Sequence, residues 1–494
     1  MSTEDHVIHL ENGRLAPSTP LSKVTRMAQQ AVASGRLIIH FHGGLVPRNT
    51  GIEIAERLLP RYSGSGAFPI FFVWESGLIE TISNNFKEIA QEKLFRILWK
   101  RIAGIVKRKF SQTDNDRSGF ALPHVDTNDL ERTIDEALDE EDLSRLAASE
   151  LETPADTDEL GEFERLMLEN ELSTDVQLNT EIQRVSNNLR DPADIEADLQ
   201  SRAPRVQGSS TTMMDPRALD QLVDRPTPGH RGIISTAKMI KAIVSIAAKV
   251  ISRFVKSRDH GFHATVVEEI LRELYLANVG QFIWETMKKD TADAFGSNSD
   301  VHGGTALLDA LSSAVDPANP LKITLVGHST GAVYISNFLN KASGLMPDNQ
   351  SYDLIFLAPA SNCQLTADTL TQHSDKIGSF RMFTMTDHYE KRDELVKILY
   401  PHSLLYFVSG VVEGGFDVPL VGMERFYDDD DFPSADFPAV ATVRNYIVAD
   451  PDRAVWSVNE AGPDGHRSTS EKHGDFDNDL KTLESIEHIL AQGF

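Results

Sequence analysis

The 494-residue chain contains one cysteine, Cys363. A lone thiol excludes an intrachain disulfide framework and a thiolate zinc cluster, and fits a reducing compartment. Its expected role is that of a small buried apolar side chain. Basic residues are also scarce. Lys plus Arg number 48 against 74 Asp plus Glu, a net charge of −26, so phosphate backbones would be repelled on average and nucleic acid is excluded as a general partner. No stretch of 18 apolar residues free of charge occurs, so no membrane span is expected. The first residues, MSTEDHVIHLENGR, lack the basic and apolar regions of a secretory signal, and the expected location is cytoplasmic.

The shortage of positive charge is regional. Residues 111–210 hold 26 acidic and 8 basic residues, net −18, with no lysine; the other 394 residues therefore carry −8. Few aromatics and many charges predict disorder for much of this stretch, with short helices in parts such as 128–147. Two basic helices flank it. Over 84–110, Phe86, Ala90, Leu94, Leu98, Ile102 and Ile105 form one stripe, and Lys93, Arg96, Lys100 and Lys107 lie on another. Over 233–256, Met239, Ile243, Ile246, Val250 and Phe254 form the apolar stripe, with Lys238, Lys241, Lys249 and Lys256 on a second face. Such helices could lie on an anionic membrane surface, or pack on the core or each other while the acidic segment neutralises them. A long helix is expected over 262–295.

Around this insertion the pattern is that of an α/β protein. RLIIHFHGGLV reads as a buried strand (36–41) ending in a glycine turn, after a helix over 18–34 capped by Ser18. A helix at 51–62 and a second buried strand, FPIFFVWES (68–76), follow. LKITLVGHSTG is another strand, GAVYISNFLNKA (331–342) the helix after it, and YDLIFLAPA, SFRMFTMTD and RAVWSV are further strands. Residues 475–490 form a terminal helix. Continuous apolar strands alternating with helices predict a mostly parallel sheet covered on both faces. The expected division is 1–83 as the first part of the core, 84–300 as a helical, lid-like insertion containing the acidic segment 111–230, and 301–494 as the second part.

Gly327-His328-Ser329-Thr330-Gly331 matches G-x-S-x-G, with an apolar strand before it and a helix after it. The glycines leave room for a sharp turn that presents Ser329 as a nucleophile. A serine nucleophile needs N–H donors for the developing oxyanion. Gly44 or Leu45, in the glycine turn ending an earlier strand, and Thr330 are the candidates. His40 and His42 alternate on that strand, but no partner with ligand spacing accompanies them, so neither a metal nor a cofactor is expected.

Taken together, strand–HGG, strand, strand–GHSTG–helix, strand, strand–Asp and a late histidine before a terminal helix resemble the α/β-hydrolase superfamily, and within it the lipase- and esterase-like serine hydrolases. The likeness covers about 36–80 and 320–494 and leaves 84–300 without a family. It implies a triad in the order Ser, acid, His. Asp387, at the end of the second strand after the nucleophile strand, is the acid it points to, with Asp393 as the rival. His473 is the histidine, with Gly474 allowing a tight entry into the last helix. His466 is its rival, His488 is read as structural, and His402 and Asp417 rank low. The implied activity is cleavage of a carboxylic ester, including a lipid ester, through an acyl-serine. A thioester or amide could replace the ester, and a non-catalytic interaction protein is the reading from another class.

Overall fold

The structure, a computed structural model, describes residues 2–44, 46–74, 79–111, 159–189, 212–224, 233–276, 280–396 and 400–494. Eight strands form the main sheet: β1 (Val7–Glu11), β2 (Arg14–Leu15), β3 (Arg36–Phe41), β4 (Phe68–Trp74), β5 (Lys322–His328), β6 (Tyr352–Leu357), β7 (Ile377–Met385) and β8 (Ala454–Ser457). Their spatial order is β8-β7-β6-β5-β3-β4-β1-β2. All neighbours are parallel except β1 and β2. The helices used below are α1 (Leu21–Ser34), α2 (Arg48–Gly64), α3 (Ile79–Gln91), α4 (Lys93–Ser111), α5 (Glu162–Ser173), α6 (Val176–Asn187), α7 (Thr236–Val255), α8 (Phe262–Ile270), α9 (Gln281–Asp293), α10 (Gly303–Ala314), α11 (Gly331–Ala342) and α12 (Leu480–Gln492).

Alternation along each strand divides the core. Leu37, Ile39 and Phe41 of β3 point to one side with the apolar faces of α1, α10 and α11. Ile38 of β3 points to the other, with α2 and α12. Because both faces are covered, every second residue has no polar solvent to face, and the strands read as continuous apolar runs. The protein is an α/β fold with a mostly parallel sheet.

The chain leaves β3 towards β4 on one side, and leaves β5 towards β6 on the other. β3 and β5 are themselves hydrogen-bonded neighbours, with Phe41 opposite Gly327. Their carboxyl ends therefore flank the point where the winding reverses, the place where open α/β sheets hold ligands. The turn after β3 and the turn after β5 are brought side by side by that register.

Several boundaries differ from the sequence reading. The first helix starts after Pro20, not at Ser18, whose hydroxyl lies 3.2 Å from His9 Nδ1. The expected helix 84–110 is two helices, α3 and α4, broken at Glu92. There the carboxylate turns inward to accept from Met213 N–H, Tyr275 Oη and Thr212 Oγ1. The expected helix 262–295 is divided by a wider turn at Leu271–Tyr275 and restarts at Gly280, which has φ +111°. β1, β2, α10 and the helices Cys363–Gln372 and Pro438–Val448 were not anticipated.

The acidic stretch gives the largest correction. Within 111–210, residues 159–189 form α5 and α6, not a solvated linker, whereas 128–147 lies outside the described residues. Leu168 and Leu172, and Leu178, Ile182 and Val185, recur at helical spacing and are buried in the core shared with α4 and α7. Their carboxylates meet the basic helices. Arg108 pairs with Glu171 at 2.9 Å, Lys109 with Glu164 at 2.8 Å, Lys93 with Glu181 at 3.6 Å and Lys256 with Glu159 at 2.9 Å. Most of these pairs are partly exposed and each is weak alone; buried leucines do most of the holding. Replacing the fully buried Leu178 by alanine should therefore lower unfolding stability by about 2–5 kcal/mol. Denaturant titration checks this, and an unchanged midpoint would mean that α6 is not part of the core.

Candidate active site

β5 ends at His328 and α11 begins at Gly331, leaving two residues for the turn. Ser329 adopts φ +53°, the left-handed region that non-glycine residues avoid. A Cβ on Gly331 would lie 2.3 Å from the Phe41 carbonyl oxygen of β3, and one on Gly327 would lie 2.7 Å from the Gly331 backbone. Both glycines are thus required by backbone closeness, and the strain at Ser329 is held by packing around it. Ser329 is 3% exposed. Its Oγ lies 2.9 Å from His473 Nε2, across a sequence separation of 144 residues.

The glycine turn after β3 abuts this elbow. A Cβ on Gly43 would be 3.3 Å from Ser329 Cβ, and one on Gly44 would be 2.6 Å from Thr330 Oγ1. Thr330 caps α11, so its N–H belongs to the first-turn donors without an intrahelical acceptor. Thr330 follows Ser329 in the chain, and Gly44 lies against Thr330. Leu45 lies outside the described residues. His42 shapes the turn: its Nδ1–H donates to the Gly43 carbonyl at 2.7 Å, and its Nε2 accepts from Trp74 N–H at 3.2 Å. Burial pushes His42 down to about 4 and His40 down to about 3, with His40 against Tyr62 Oη at 3.1 Å. Both are neutral structural imidazoles. Among the described residues no three His, Cys, Asp or Glu side chains gather as a metal site. Cys363 is buried, and desolvation pushes its thiol up to about 12.

His473 opens a single 3₁₀ turn, His473–Asp475. Gly474 within it has open space around its Cα and no positive φ, so its lack of a side chain is not what shapes the turn. Burial pushes the His473 imidazole down to about 3, aided by the nearby His328. The ring is therefore neutral near pH 7 and can accept a proton at Nε2. Its Nδ1 is buried without a hydrogen-bond partner among the described residues.

The carboxylates are arranged otherwise than the sequence pattern suggests. Asp387 accepts from Tyr406 Oη and pairs with Lys391 at 2.8 Å. Burial alone would raise its pKa, but Lys391, Tyr406 and Arg425 hold it below the usual carboxylate range. Arg425, beside Asp387, also pairs at 3.5 Å with Asp417, a member of a buried polar network. That network places His260 between Glu268 at 2.7 Å and Asp417 at 2.9 Å, with Arg253 2.7 Å from Glu268. Asp393, the rival carboxylate, instead accepts the His473 main-chain N–H at 2.8 Å, and burial raises it above the usual range. His466 is turned to Asp452 at 3.1 Å, and His402 bonds the Lys391 and His260 carbonyls. His488, on α12, lies against Gly465.

Two residues escaped the sequence reading. His328, the first of the two variable residues of the pentapeptide, donates Nε2–H to the His473 carbonyl at 2.9 Å, and Asp477 lies 3.5 Å from its Nδ1. The only signal was position: one residue before the serine, and four after the histidine.

Comparison with protein-family models, with curated proteins and with solved structures returns no match.

A neutral buried imidazole must be protonated on unfolding in acid. His40, lowered from 6.5 to about 3, binds a proton in the unfolded chain but not in the folded one over the interval between those values. Stability therefore falls as pH falls through it. The stability difference between wild type and His40→Gln should shift against wild type by about 1.4 kcal/mol per pH unit from about pH 6 to pH 4. Urea unfolding at several pH values measures that slope, and parallel curves would rule out the neutral His40.

Proposed function

We propose that the chain is a serine hydrolase of the α/β-hydrolase type that cleaves a carboxylic ester through an acyl-serine. The observation that carries this reading is the 2.9 Å contact between Ser329 Oγ and His473 Nε2, made at a turn whose backbone is held in the left-handed region. A nucleophile and a neutral base within hydrogen-bond reach form the minimal unit of this chemistry.

Ser329 Oγ attacks the acyl carbon while its proton passes to His473 Nε2. The carbonyl electrons move onto oxygen, facing the N–H groups of Thr330 and Gly44. Collapse breaks the bond to the alkoxy group, which takes the proton from His473 and leaves as an alcohol. Water then repeats the sequence, delivering one proton through His473 back to Ser329 and releasing the acid. No cofactor enters this scheme. We take Asp393 as the third member on its contact with the His473 main-chain N–H; the ring Nδ1 itself has no partner among the described residues. Asp387, the residue at the strand end, is committed to Tyr406 and Lys391. A thioester or amide would pass through the same steps.

The substrate is proposed to be a small ester, with lipid esters within that class. The basic side chains that would favour an anionic membrane are largely answered within the chain by Glu159, Glu164, Glu171, Asp175 and Glu181. No helix among the described residues is long and apolar enough to cross a membrane.

Ser329→Ala should fold as wild type and lose both p-nitrophenyl ester hydrolysis and fluorophosphonate labelling; retained turnover would overturn the assignment. Asp393→Asn should lower kcat by about 10²–10⁴, the range of a general-base system deprived of its orienting carboxylate. Asp387→Asn should cost less than tenfold. The reverse ranking in steady-state kinetics would return the acid role to Asp387.

A further inference from the structure

His473 is anchored at both of its main-chain polar groups by side chains. Asp393 accepts its N–H at 2.8 Å, and His328 donates to its carbonyl at 2.9 Å. His328 is peptide-bonded to Ser329, so the same residue adjoins the nucleophile and holds the turn that carries the base. Behind it, Asp477 Oδ2 stands 3.5 Å from His328 Nδ1. Arg57 of α2 fixes Asp477 in turn, through Oδ1 at 3.3 Å and through its carbonyl at 3.2 Å. His328, Asp477 and His473 are all buried, and the His328 and His473 rings lie 5.6 Å apart.

Resting on the hydrolase reading above, we infer that His328, oriented by Asp477 and Arg57, is a positioning residue that sets the distance between the nucleophile and its general base. The turn that carries Ser329 is closely packed, with Gly331 against the Phe41 carbonyl. His473 stands on a three-residue turn, and its ring Nδ1 has no partner of its own among the described residues. The ring's position is then governed by the two main-chain anchors. Loss of the His328 anchor lets the turn drift, and a displacement of about 1 Å at reacting atoms lowers rate by about 10² without weakening substrate binding.

The variants His328→Leu, His328→Gln and Asp477→Asn separate this role from simple filling of space. Glutamine reaches about as far as the imidazole Nε2 and retains an N–H to donate, whereas leucine fills the space without a donor. With a short-chain p-nitrophenyl ester, His328→Leu should lose about 100-fold in kcat with KM within about twofold. His328→Gln should recover most of that loss, and Asp477→Asn should lie between, at about tenfold. Fluorophosphonate labelling of Ser329 should slow in the same order. Wild type that labels and hydrolyses, together with His328→Leu at the wild-type rate, overturns the positioning role alone. Equal losses in the leucine and glutamine variants also overturn it, since only bulk would then matter. Wild type that neither labels nor hydrolyses overturns the hydrolase reading, and this inference with it. If His328→Leu fails to give a cooperative thermal transition, Asp477→Asn carries the test: a labelling rate equal to wild type overturns the inference.

Discussion

The approach of Gly331 to the carbonyl of Phe41 is the contact on which the rest of the site depends. It lets α11 start directly above the β3–β5 pair, and it leaves Ser329 no room for an ordinary backbone conformation. A side chain at Gly331 would push the helix off the sheet. The cost of the left-handed serine is borne by the surrounding core, because Ala332, Tyr334 and Ile335 bury the first turn of α11 against β3 and β5. The turn after β3 reaches the same spot through the strand register alone.

The second half of the site is fastened by polar contacts beside the buried Phe476 that ends its turn. His473 arrives from a loop far along the chain and is fixed by Asp393, by His328 and through them by Asp477 and Arg57. Each of these groups is buried or half-buried, where an unpaired charge is costly and a paired one is held closely. The insertion obeys the same rule. Arg253, Glu268, His260 and Asp417 are all buried and mutually bonded, and they join α7 and α8 to the segment after β7. Such a network gives little net stability, but leaves few ways to rearrange without stranding a charge.

The acidic and basic segments of the insertion illustrate why net charge is a poor guide to a region's partners. Taken apart, 93–110 looks like a membrane-seeking helix and 159–189 like a solvated linker. Folded, each supplies what the other lacks: a carboxylate for a lysine or arginine, and a leucine for an open apolar stripe. An average over a hundred residues conceals the spacing of Leu168, Leu172, Leu178 and Ile182, and that spacing decided their fate.

What the sequence alone determined is local in origin. The alternation of apolar strands and amphipathic helices, the buried stripes of α4 and α7, and the G-x-S-x-G turn after β5 follow from periodicity and from the room glycine makes, all within a dozen residues of chain. It also marked His473 and the turn at Gly44 as belonging with Ser329, through an order of elements already known to bring such residues together. Only the tertiary structure decided which carboxylate meets His473. Asp387 and Asp393 are six residues apart on one loop, equally polar, and each has its partners supplied from elsewhere: Tyr406 and Lys391 for one, the His473 main chain for the other. His328 and Asp477 were invisible for the same reason. Their roles are set by contacts across more than a hundred residues of chain, and pairings at that range leave no periodicity in the sequence by which to read them.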